Sequence, residues 1–161
     1  MLTDVEFTQA VNHHLNTVYR TAYNWLKDSH LANDIAQNVF LKLYTAEKDF
    51  ESDEHVKRWL IRITVNECKN LFRAPWRKHE DIDAYANDLC FEDHYQRELF
   101  DAVMRLDRKY RLPLMLFYYE GYSISDISEI TGIPGNTIST RLSRARTQLR
   151  GLIEEDDNEQ Q

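Results

Sequence analysis

Between Tyr122 and Arg150 the sequence carries two helical periods broken by Gly132-Ile133-Pro134, and no other stretch constrains the fold as tightly. Ser123 and Asp126 have capping-box spacing, so a helix can begin there with two of its free N–H groups satisfied. Ile124, Ile127 and Ile130 form its apolar side, and Gly132 supplies a left-handed stop. Pro134 marks the start of the next helix, where a missing N–H costs nothing. Ile138, Leu142, Ala145 and Leu149 follow at intervals of four, three and four, one stripe of a 3.6-residue period. The other face presents Asn136, Thr137, Ser139, Thr140, Arg141, Ser143 and Arg144. Short polar side chains followed by arginines suit base edges first and phosphates second, so the pattern points to duplex DNA. An ordinary helical hairpin with a solvated basic face fits the same spacing.

At 161 residues and 19.2 kDa the chain can form one domain or two small ones, and 42% hydrophobic content is enough for real cores. No apolar run approaches the roughly 20 residues that cross a bilayer, so no membrane insertion is expected. Met1–Phe7 has neither a basic start nor a long apolar run, which predicts no signal peptide. Cys68 and Cys90 are too few and too far apart for a disulfide framework or a zinc knuckle, and a reducing cytoplasm fits them best. Four Gly, three Pro and almost no period-2 alternation predict an all-α chain.

The net charge of −7 runs against DNA binding until it is mapped. Nine acids against Arg20, Lys27, Lys42 and Lys48 leave residues 1–54 at −5. Residues 55–79 carry +6, from seven cations against Glu67, and residues 80–101 swing to −7. Residues 102–122 and 123–150 each return to +2, and 151–161 end at −5. Local potential steers a polyanion more than the total does, so two basic segments separated by an acidic one fit two nucleic-acid contacts on one chain. Solvated faces of mixed charge are the alternative for each segment taken alone.

Thr3 and Glu6 form a second capping box, ahead of an apolar series from Phe7 through Ala10, Val11, Leu15 and Val18 to Leu26. Two helices, or one kinked near His13-His14, cover that span. Asp28 or Ser29 caps a helix from about Leu31 to Tyr44 that turns Ala32, Ile35, Ala36, Val39, Phe40 and Leu43 inward. After a polar loop over residues 47–54, a helix from His55 to Phe72 buries Trp59, Leu60 and Ile63, with Cys68 and Phe72. Arg58, Arg62, Lys69 and Arg73 stack on its other face with Asn66 among them, a backbone-phosphate surface. Ala74-Pro75 ends it. The expected organisation is two small helical domains, 1–76 and 95–153, joined by an acidic linker over 77–94 and followed by an acidic tail over 154–161. Leu99, Val103, Leu106 and the run Leu112–Tyr119 pack the second domain against the helix-turn-helix.

With these segments in place, the C-terminal half resembles region four of bacterial sigma factors. That region's motifs stand here as Leu112-Pro113-Leu114, Gly121-Tyr122-Ser123, Asp126-Ile127-Ser128 and Asn136-Thr137-Ile138-Ser139-Thr140-Arg141-Leu142, then Arg144-Ala145-Arg146. The N-terminal half resembles region two, through Ala32-Asn33-Asp34-Ile35-Ala36-Gln37 with Phe40, and Trp59-Leu60-Ile61-Arg62-Ile63-Thr64-Val65-Asn66. Both halves occur in the family's order and cover nearly the whole chain, and the two-domain layout is similar to the extracytoplasmic-function group. Asn136 stands where the family usually has glycine, Ser139 where it has lysine or arginine, and Asn38 where it has glutamate. These departures are read as altered promoter preference or altered polymerase contacts. The loop from Glu51 to His55 lies where related proteins capture a flipped promoter base, yet here it is acidic.

The resemblance implies a cytoplasmic, non-enzymatic alternative sigma factor that binds core RNA polymerase, directs it to promoter DNA, and answers to an anti-sigma factor. It implies polymerase docking through Asp34, Gln37, Asn38 and Leu41, and contact with the opened promoter through Arg58, Arg62, Asn66, Lys69 and Arg73. Upstream duplex recognition then falls to Asn136, Thr137, Ser139, Thr140, Ser143 and Arg144, with Arg141 and Arg146 as phosphate clamps. No cofactor or metal is expected: His13 and His14 are adjacent, point to different helix faces and make poor metal geometry. Two rivals remain at this level. A stand-alone dimeric helix-turn-helix regulator leaves the Ala32–Gln37 and Trp59–Asn66 segments without a task. A helical adaptor that binds only proteins leaves the basic faces merely solvated.

Overall fold

The computed structural model describes residues 1–72 and 94–159. Arg73, Trp76, Cys90 and the expected linker over 77–93 lie outside the described residues. Among the described residues every regular element is helical. The chain divides into two compact units, Met1–Ile82 and Asp83–Gln161.

The first unit is a three-helix bundle. Helix α1, Asp4–Leu26, opens on the Thr3/Glu6 capping box: the Glu6 N–H donates to Thr3 Oγ1 at 3.2 Å and the Thr3 N–H to Glu6 Oε2 at 2.8 Å. It runs unbroken through His13-His14 and stops at Lys27, whose left-handed backbone (φ 51°) turns the chain. Helix α2, Ser29–Tyr44, is capped by Asp28, which accepts the Leu31 N–H at 2.9 Å. Helix α3, Asp53–Phe72, starts beyond Ser52, whose Oγ accepts the His55 N–H at 3.1 Å.

All three helices pack on one another. The core takes Val18, Ala22, Tyr23 and Leu26 from α1, Ile35, Val39 and Leu43 from α2, and Leu60, Ile61, Val65 and Cys68 from α3. Two expectations shift. In α1 the inward stripe passes through His14, Thr17 and Thr21, while Leu15 is exposed. In α3, Trp59 and Ile63 are only half-buried, and Ile61, Thr64 and Val65 join Leu60 inside. Being wedged between α1 and α2 rotates the buried arc of α3 by about a quarter turn from the stripe a one-sided helix would bury. Phe50 then covers Trp59 from the loop, ring edge to face at 5.6 Å.

In the second unit, helix α4, His94–Met104, turns into the short helix α5, Arg108–Leu114, which continues as a π-helical turn, Met115–Tyr119. Arg111 is buried at that corner and donates to the Leu106 carbonyl at 2.7 Å. Helix α6, Ile124–Thr131, begins at Ser123: the Asp126 N–H donates to Ser123 Oγ at 3.1 Å and the Ser123 N–H to Asp126 Oδ2 at 3.3 Å. It ends at Gly132, φ 75°, a left-handed position that only glycine holds without strain. Helix α7, Gly135–Glu159, follows, with the Pro134 carbonyl taking its first hydrogen bond, from Ile138, at 3.1 Å.

Ile138, Leu142 and Ala145 are fully enclosed, and Leu149 packs on the cluster of Leu106, Tyr110, Leu114 and Ala145. Residues 154–159 continue α7 rather than trailing from it, and Asp156 accepts from Arg105 at 3.1 Å. Because Ser123 satisfies an otherwise free N–H, Ser123→Ala is expected to destabilise this unit by about 1 kcal/mol. A shifted urea midpoint with an unchanged slope is the readout.

Candidate functional site

Three exposed faces follow from the way each helix spends its apolar stripe. On α2, burying Ile35, Ala36, Val39, Phe40 and Leu43 forces Asp34, Gln37, Asn38 and Leu41 outward on one side. Leu41 is 61% exposed and Tyr44, one turn on, 49%. An apolar leucine and an aromatic ring thus stand in solvent among polar neighbours. Tyr44 is an exposed member of this face that sequence reasoning missed; the signal was its place one turn beyond Leu41 on the same side. Its ring meets Phe7 of α1 edge-on at 5.0 Å.

On α3 the structure brings Arg58, Arg62, Asn66 and Lys69 together on the side away from the buried arc, with Arg62 and Asn66 exposed and Arg58 and Lys69 half-buried. Arg58 Nε donates to Glu54 Oε1 at 3.3 Å, one turn earlier. Arg73 lies outside the described residues. The quarter-turn rotation places Trp59 at the border of this basic face instead of in the core. There Phe50, His55 and Trp59 form an aromatic group, with Phe50 5.3 Å from His55 and Lys48 Nζ 5.7 Å from the Phe50 ring. So the loop that reads as acidic also carries ring faces beside the cationic helix, which a list of its charges does not reveal. Unstacked bases settle on such faces at about 1–3 kcal/mol each.

The Asp53 carboxylate at the head of α3 receives the His14 Nε2–H at 2.8 Å, with His13 Nδ1 3.6 Å from the same oxygen. Partial burial acts to raise the Asp53 carboxyl, but hydrogen bonding and positive charge from His14 and His13 outweigh it and hold the group below its ordinary value.

On α7, Asn136, Ser139, Thr140, Ser143, Arg144 and Arg146 are exposed, and Thr137 and Arg141 are half-buried at the edges of the same face. Two of these groups already have partners. The Thr140 hydroxyl donates to the Asn136 carbonyl at 3.0 Å, which leaves its lone pairs and methyl group to meet a ligand. Arg146 donates to the Tyr118 hydroxyl at 2.7 Å. The π-helical turn accounts for that second contact: it places Tyr118 and Tyr119, 55% and 65% exposed, outside the core where the apolar run predicts packing. The phenol thus tethers the Arg146 guanidinium at the edge of this polar face.

Comparison with known proteins matches residues 10–78 to sigma-70 region 2 and residues 96–149 to sigma-70 region 4. The chain is 28% identical over 150 residues to the RNA polymerase sigma factor SigV of Bacillus subtilis, covering 91% of this chain and 90% of that protein. It is 28% identical over 162 residues to the ECF RNA polymerase sigma factor SigW of the same organism, covering 89% and 87%. Among solved structures it resembles the sigma factor RpoE of Bartonella quintana, determined with the anti-sigma factor NepR, with a TM-score of 0.70 at 23% identity over 92% of this chain and 96% of that one.

Proposed function

Because the chain belongs to the sigma-70 family, as an alternative sigma factor of the extracytoplasmic-function group that directs promoter-specific transcription initiation, we propose a division of labour among its three faces. Core RNA polymerase docks on Asp34, Gln37, Asn38 and Leu41 of α2, with Tyr44 extending the contact. Arg58, Arg62, Asn66 and Lys69 of α3, continued by Arg73, track the backbone of the opened strand. The Phe50–His55–Trp59 rings beside them accept an unstacked base. On α7, Asn136, Thr137, Ser139, Thr140, Ser143 and Arg144 read the upstream duplex, while Arg141 and Arg146 hold its phosphates.

The observation that carries this reading is the presence on one chain of a cationic helix face in each unit, each set opposite a buried stripe that fixes its direction. A stand-alone regulator has no use for the first of them, and a protein-only adaptor has use for neither. The family is not a catalytic one, and none of the three faces performs a reaction. Opening needs no fuel: capture of unstacked bases offsets the melting of a weak A·T-rich segment, and two tethered contacts raise each other's effective concentration. The protein works in the cytoplasm, where its polymerase is, and an anti-sigma factor silences it by covering these faces; no described helix is long and apolar enough to cross a membrane.

In vitro transcription with purified core polymerase, with start sites sequenced, tests the whole reading; a pure chain that neither joins core enzyme nor directs specific starts overturns it. Arg144→Ala is expected to weaken binding to the upstream element by about 1–3 kcal/mol, with core polymerase binding unchanged. Full promoter activity in that variant removes Arg144 from the recognition face.

A further inference from the structure

From the convergence of His13, His14 and Asp53 we infer that the first unit holds a divalent transition-metal site, suited to zinc, between the middle of α1 and the head of α3. The three ligand atoms lie within 4.8 Å of one another, the one such grouping of three among the described residues. His14 Nε2 is 2.8 Å and His13 Nδ1 3.6 Å from the same Asp53 oxygen. Nitrogen and oxygen ligands bind zinc at about 2.0–2.2 Å, which puts tetrahedral ligand atoms about 3.4 Å apart. The two observed separations to Asp53 straddle that spacing and the nitrogen–nitrogen pair lies within 4.8 Å, so an ion fits once the imidazoles draw in on it.

Adjacent residues on a helix point about 100° apart, so neither histidine can chelate with the other by itself. A carboxylate delivered from a second helix into the angle between them removes that obstacle. A purely structural hydrogen bond needs one imidazole; here two approach one oxygen. The His14 side chain is only 6% exposed and gives a fixed wall, while His13 and Asp53, at 61% and 62%, leave an entry path and an open fourth position for water. Imidazole nitrogen and carboxylate oxygen are borderline-to-hard donors, which favours zinc over copper(I) and disfavours calcium, whose sites are all-oxygen. The ion would take the place of the proton now shared by His14 and Asp53. It would pin α1 to the first turn of α3, immediately after the loop that carries Phe50. This goes beyond the proposed function and does not depend on it.

The test is direct titration of zinc into the reduced, full-length chain against a chromogenic chelator, with cobalt(II) as the spectroscopic probe. One equivalent of zinc should bind saturably. Cobalt should give visible d–d bands without the near-ultraviolet charge-transfer band of a thiolate ligand. Loss of a mere outer-shell partner typically weakens a metal site about 10–100-fold, so loss of a ligand in His13→Ala or in Asp53→Asn should cost at least about 100-fold. His13 is exposed and Asp53→Asn keeps the side-chain shape, so both variants should retain the far-ultraviolet circular dichroism of the parent chain. No saturable binding, a thiolate band, or unchanged affinity in either folded variant overturns the assignment.

Discussion

Leu142→Ala is expected to destabilise the C-terminal unit by about 2–5 kcal/mol, the largest stability effect predicted for this chain. Leu142 is 1% exposed, and it stands between Ile138 and Ala145, both fully enclosed, on the stripe that fastens α7 to its unit. Truncation removes its transfer energy and leaves a cavity that the fixed helices around it fill only in part. A domain of this size carries on the order of 5–10 kcal/mol in total, so the variant should sit near its folding threshold at 37 °C. Amide hydrogen exchange is the fitting measurement. Protection should fall across residues 94–159 and persist across the α1–α3 bundle, and upstream DNA binding should fall with it. Parent-like protection in α7 would show that the helix is held by something other than this stripe.

The second large effect concerns binding. Leu41→Asp should weaken association with core RNA polymerase by at least about 2 kcal/mol, roughly 30-fold, while costing the stability of the first unit only about 1 kcal/mol. The two halves of that expectation have separate causes. Leu41 is 61% exposed, so the fold loses little beyond the cost of a carboxylate in the last turn of α2. An apolar side chain at the middle of a docking face, by contrast, is where hot spots concentrate, and a buried unpaired carboxylate would be penalised further. Pull-down of core enzyme by the two forms at equal concentration separates them; equal recovery moves the docking surface off this face of α2.

Much of the scaffold was legible because it is written in local chemistry. The Thr3/Glu6 and Ser123/Asp126 boxes, the Asp28 cap, Gly132 and the Ile138–Leu142–Ala145 stripe each follow from residues within a few positions of one another. What was not legible depends on partners distant in sequence. The stripe Trp59-Leu60-Ile63 and the arc through Leu60, Ile61, Thr64 and Val65 satisfy the same period equally well. Only the second neighbour of α3 selects the latter. His14 reads as a poor metal ligand, turned to a different helix face from His13, until Asp53, 39 residues later, is brought to it. Likewise the run Leu112–Tyr119 is uniformly apolar, and nothing in its composition announces a π-helical turn that sends Tyr118 outward to Arg146. The candidate recognition face of α7 could be named from sequence because its burial pattern is one-sided; the aromatic border of α3 could not, because its boundary is set by packing.

Helix α7 has a lengthwise asymmetry. Its first sixteen residues carry Arg141, Arg144, Arg146 and Arg150 and no acid, while its last nine carry five acids and no base. A rod so polarised cannot rest flat along a polyanion: one end is drawn in as the other is pushed out. On the proposed reading of α7 as the recognition helix, this polarity favours an approach with the leading end first, biased by long-range repulsion before any base is touched. On that reading, reversing the sign of the trailing segment removes the bias and lets the helix meet the duplex at any angle.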